Sequence, residues 1–68
     1  MSTRLPGPAR RQAVVETACR VFAKSSYHGS TTAQIAREVG VSEPVLYRHF
    51  SSKRELYLAA LDHVWGRA

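Results

Sequence analysis

Apolar residues recur every three or four positions in four separate stretches of the chain, the repeat of amphipathic helices rather than the alternation of strands. From Ala9 to Ser25, Val14, Val15, Ala18, Cys19, Val21 and Phe22 share one face of a helical wheel, with Glu16, Thr17 and Arg20 opposite. Ser26 to Ser30 reads as a loop. Ile35, Ala36 and Val39 then form one stripe over Thr32 to Val39, with Thr31 placed as N-cap and Gln34 three residues on. Gly40 supplies a sharp turn, and Ser42 caps a further helix from Glu43 to Phe50, whose first turn holds Glu43 and Pro44 and whose Leu46 and Phe50 point inward at i and i+4. Ser52-Lys53-Arg54-Glu55 fits a capping box and starts a fourth helix at Lys53.

Two short helices about a glycine turn make a helix-turn-helix, the second helix being the one that reads a DNA groove. The expected fold is all-α: a three-helix, homeodomain-like helix-turn-helix domain plus the start of a fourth helix. Residues 1–8, rich in Pro, Gly and small polar residues, read as a flexible basic arm, 9–52 as the helix-turn-helix domain and 53–68 as the fourth helix. On the wheel, Leu56, Tyr57, Leu58, Ala60, Leu61, Val64 and Trp65 cover roughly 200°, about twice what a helix packed on one side needs. A second copy or chain beyond this sequence has to cover the other side, and the latter is preferred.

With 68 residues, 44% of them hydrophobic, there is room for one small core. The single cysteine, Cys19, makes no internal disulfide, and the usual zinc ligand sets are out of reach, so no metal or cofactor is expected. The longest apolar run, Leu56 to Leu61, falls far short of the about 20 residues that span a bilayer, and no signal-peptide core is present, which makes the cytoplasm the expected location and a membrane partner unexpected.

Ten Lys and Arg against five Asp and Glu give a formal charge of +5 and a pI near 10.2. That excess suits a polyanion, though it also suits a merely solvated surface. Placement favours the polyanion. Arg10 and Arg11 are expected to open the first helix and Lys53 and Arg54 the fourth, where the helix dipole disfavours cations by about 0.3–1 kcal/mol each unless a bound anion reverses the sign. With Leu46 and Phe50 inward, Pro44, Val45 and Arg48 face outward and Tyr47 and His49 flank them. Val45 then suits a thymine methyl, Arg48 a phosphate or guanine, and Tyr47 and His49 phosphates. The plainer alternatives are that Tyr47 and His49 complete the core rim and that Glu43 only complements the dipole. His28 and His63 read as loop and surface residues.

The spacing of Ala18, Phe22, Tyr27, Ile35-Ala36, Gly40-Val41-Ser42, Leu46-Tyr47, His49-Phe50, Ser52-Lys53 and Leu56 resembles the N-terminal domain of the tetracycline-repressor (TetR) family of transcriptional regulators over about Arg10 to Trp65. The resemblance implies a DNA-binding unit whose fourth helix leads to a C-terminal ligand-binding and dimerisation domain. It implies phosphate contacts from Thr32, Ser42, Tyr47, His49 and Lys53, and groove contacts from Ala33, Glu43, Pro44 and Val45. It further implies a homodimer on palindromic double-stranded DNA, a small-molecule effector, and most often repression. Two departures stand out. Ser26 replaces a usual glycine, where a left-handed backbone costs serine roughly 1 kcal/mol more, so this helix end is expected to be looser or differently shaped. Ala33 replaces a longer polar side chain, leaving specificity to the third helix.

Two other classes compete with DNA binding. A basic amphipathic module would use the broad apolar face of the fourth helix on a membrane surface or an acidic protein. An enzyme would rest on Tyr47, Arg48, His49 and Ser51, but no carboxylate orients the histidine and no chain remains to form a pocket.

Overall fold

The computed structural model describes residues 7–66, in four helices: α1, Gly7–Gly29; α2, Thr32–Val39; α3, Glu43–His49; and α4, Lys53–Val64. Residues 1–6 of the expected arm lie outside the described residues, while Gly7 and Pro8 already belong to α1. Proline fits there because a first-turn amide has no partner within the helix to lose.

The helix ends follow local chemistry. Thr31 and Ser52 adopt extended backbones and their hydroxyl oxygens accept from the Gln34 amide at 3.0 Å and the Glu55 amide at 3.2 Å. Ser42 does the same for α3, more weakly, at 3.4 Å from the Val45 amide. Gly40 closes α2 with φ 94°, and its amide and that of Val41 both reach the Ala36 carbonyl. The expected third helix stops one residue early: Phe50 is extended and caps α3.

α1 breaks at Ser26, which sits at φ 67°, ψ 170°, a region almost reserved for glycine. Serine thus takes a glycine-type backbone here and carries its strain, and the chain returns to helix up to Gly29 where a loop over Ser26 to Ser30 is expected from the sequence. Two hydrogen bonds hold the break, one from the Gly29 amide to Ser26 Oγ at 3.2 Å and one from the buried Ser30 hydroxyl to the Ser26 carbonyl.

α1 packs against α4 and α2, and α2 against α3. The core joins Val14, Ala18, Val21 and Phe22 of α1 to Ile35, Leu46, Phe50 and Leu56, all buried. Tyr27 and Tyr57 extend it through rings centred 4.8 Å apart, with Phe22 5.1 Å from Tyr57. Thr17, expected on the polar face, is instead buried. It lies three residues after Val14 and four before Val21, inside their stripe, and its hydroxyl accepts from Arg20 at 3.3 Å. Along α4 the outer apolar side is uncovered: Leu58 is 41% exposed and Val64 65%, and Trp65, just past the helix end, 70%.

Candidate nucleic-acid interface

Burial of Leu46 and Phe50 fixes which way α3 faces. Glu43, Pro44, Tyr47 and Arg48 are exposed, with Val45 and His49 half-buried beside them. Pro44 and Arg48 face outward as helical spacing predicts, Val45 does so only in part, and Glu43 departs from it. Glu43, three residues before Leu46 and seven before Phe50, falls on their stripe at helical spacing, yet it is exposed and bends its carboxylate to α2, where Oε2 accepts the Thr32 hydroxyl at 3.1 Å. Thr32 is buried at the first position of α2, and its Oγ1 lies 2.8 Å from the Tyr47 hydroxyl. Ala33 next to it is exposed and contributes only a methyl group.

Glu43, Thr32 and Tyr47 therefore form a polar bridge across the turn between the two helices. It gives the buried Thr32 hydroxyl its partners. Sequence spacing did not show this bridge, because residues 11 and 15 positions apart meet only once α2 and α3 have packed. Ser42 uses an oxygen lone pair as cap, which leaves its hydroxyl proton free to donate outward.

The cationic positions divide. Arg10 and Arg11 do not occupy a first turn: α1 starts at Gly7, so they are its fourth and fifth residues, where the dipole argument has lost most of its force. Arg11 nevertheless reaches the predicted surface by another route. Its guanidinium lies over the Phe50 ring, 4.7 Å from the centroid, in a cleft it shares with Tyr47, Arg48, His49 and Ser51. Arg10 is half-buried and does not line that cleft. Lys53 and Arg54 do hold the first two positions of α4, as expected, with Glu55 third. Lys53 lays its ammonium on the Tyr27 ring, 4.3 Å from the centroid, and like Arg54 stays outside the cleft.

Stacking fixes the Arg11 and Lys53 heads without consuming their N–H donors, which stay available to an anion. Arg11 was expected for its helix position, whereas its ring contact needs Phe50 to be delivered by another helix.

The model of the family described as bacterial regulatory proteins, tetR family, matches residues 14–60. The chain is 52% identical over 59 residues to the HTH-type transcriptional activator FasR of Mycolicibacterium smegmatis, covering 87% of this chain and 27% of that protein. It is 42% identical over 50 residues to the HTH-type transcriptional repressor AcnR of Corynebacterium diphtheriae, covering 74% and 26%. It is also 36% identical over 55 residues to the nucleoid occlusion factor SlmA of Marinobacter nauticus, covering 81% and 28%. The chain thus spans little more than a quarter of the length of these relatives.

Proposed function

Because this chain belongs to the tetR family of bacterial regulatory proteins, we propose that it is the sequence-reading DNA-binding part of a transcriptional regulator, with α3 in the major groove. The observation that carries this reading is the orientation of α3. Leu46 and Phe50 are locked in the core, which leaves Pro44, Val45, Tyr47 and Arg48 as a continuous outer edge, with the Arg11 guanidinium stacked beside it.

In this reading Val45 and Pro44 meet base edges, and Ala33 and Glu43 border the groove. Ser42, Thr32, Tyr47, Arg48 and His49 line the phosphates, and Arg10, Arg11 and Lys53 supply flanking charge. A lone domain makes half the contacts of a two-fold pair. The intact regulator is proposed to be a homodimer on a palindromic operator, with half-sites about 34–36 Å apart or a multiple of that, held together and tuned by a small-molecule effector through chain that the relatives possess beyond this region. Repression is the simpler outcome, since occupancy of a duplex is enough to exclude other proteins. A cytoplasmic location goes with that role, and no helix among the described residues is long and apolar enough to cross a membrane.

The test is a titration of the intact protein against duplex DNA at rising salt, with anionic phospholipid vesicles as the second arm. The DNA reading predicts saturable duplex binding in which log K falls linearly with log salt. Vesicle binding without any salt-dependent duplex binding would establish the amphipathic-module alternative instead.

A further inference from the structure

The Thr32 hydroxyl carries one proton, and an ionised carboxylate only accepts. Since Thr32 donates to Glu43 Oε2, its short 2.8 Å contact with Tyr47 is made by the phenol as donor. The chain of donation therefore runs from Tyr47 to Thr32 to Glu43, and both hydroxyl protons are taken up within it. What Tyr47, 43% exposed, turns to the outside is an oxygen with lone pairs. Towards a phosphate that is the wrong polarity.

We propose that Glu43 is a positioning residue that competes with the DNA phosphate for these two protons, rather than a reader of bases. With Glu43 in place, a phosphate approaching Tyr47 meets an acceptor, and a carboxylate stands one hydroxyl behind it. Take the carboxylate away and the direction of the relay reverses: Thr32 donates to the phenol oxygen, and the phenol proton is released to the phosphate. Donation along such a chain is cooperative, so the reversed relay strengthens the outer bond. Glu43 thus lowers affinity for every duplex alike, because phosphates are the same in all sequences. The inference rests on the proposed DNA-binding reading and makes the role of Glu43 opposite to the groove contact implied by family position.

The experiment measures the affinity of the intact protein for its selected operator and for random-sequence duplexes at fixed salt, for the wild type, Glu43→Ala, Tyr47→Phe and the double variant. Glu43→Ala is expected to tighten binding about three- to tenfold on all sequences, the worth of one hydrogen bond gained. Tyr47→Phe is expected to remove most of the gain that Glu43→Ala brings, so that Glu43→Ala tightens binding far less in the Tyr47→Phe background than in the wild type. Glu43→Ser, polar but too short to reach Thr32, replaces Glu43→Ala should that variant melt. Three results overturn the proposal while the DNA reading stands: Glu43→Ala binds no tighter, or shifts sequence preference instead of overall affinity, or keeps its gain without the phenol, which would make it simple charge removal. Absence of salt-dependent duplex binding by the wild type overturns the DNA reading and the proposal together.

Discussion

Ser26 is where one residue costs the fold most visibly. Its φ of 67° with ψ 170° suits glycine, and the Gly29 amide bound to its hydroxyl offsets only part of the strain. Ser26→Gly is expected to stabilise the domain by about 1 kcal/mol, read as a higher urea midpoint at an unchanged slope. A lower midpoint would show that the side-chain bond outweighs the backbone strain. The departure from glycine at this position was visible in the sequence; the bonds from Gly29 and Ser30 were not, since they depend on how the chain turns there. Cys19 makes the complementary point. Burial pushes its thiol above the usual cysteine value of 9.0, Glu16 adds to this, and Arg20 pulls the other way, while Sγ donates to the Ala60 carbonyl at 3.4 Å. A raised folded value means that the thiol's contribution to stability is complete below pH 9.0 and is lost as pH rises through the folded value. Labelling by a disulfide reagent at pH 8 is expected to be slower than for an unstructured cysteine peptide; equal rates would contradict the burial of this thiol.

At the scale of elements, three of the four helix starts were legible because each is written in a cap: Thr31, Ser42 and Ser52 all accept the amide three residues on. No such cap opens the first helix among the described residues, and its start at Gly7 instead of Ala9 puts Arg10 and Arg11 past the first turn. Gly40 sets the angle between α2 and α3. A Cβ there would meet nothing within 4 Å, so only its φ of 94° constrains the position. Gly40→Ala is expected to cost about 1–2 kcal/mol and to lower Tm without changing the helical spectrum of the folded state. An unchanged Tm would mean that the turn relaxes to negative φ. Thr17 and Glu43 show why the rest was illegible: a polar residue type fixes neither outward position, as expected for Thr17, nor a groove contact, as expected for Glu43, and packing gives each a partner.

The whole molecule is a small body, 11.2 Å in radius of gyration. The outward edge of α3 shares a cleft with Arg11 and Leu58, and Val64 and Trp65 are exposed at the far end of α4. Both the charge excess and the surplus apolar arc could be read from the sequence, because each is a sum over residues that does not depend on detailed contacts. Trp65 is the only tryptophan, so its fluorescence reports on the exposed end of α4 alone. In the 68-residue chain its emission is expected at the wavelength of fully hydrated indole and open to iodide quenching, and blue-shifted in the longer regulator proposed above. A blue shift already present in the short chain would mean that copies of it cover the strip for one another.

The central claim is that the outer edge of α3 meets bases while the cations around it meet phosphates. Parallel salt titrations of Lys53→Ala and Val45→Ala against a selected operator and random duplexes test it most directly. The account predicts that Lys53→Ala weakens binding by one factor on all sequences and reduces the salt slope by about one unit, whereas Val45→Ala keeps the slope and changes the order of preference among sequences. Two variants that behave alike in both slope and preference would contradict it.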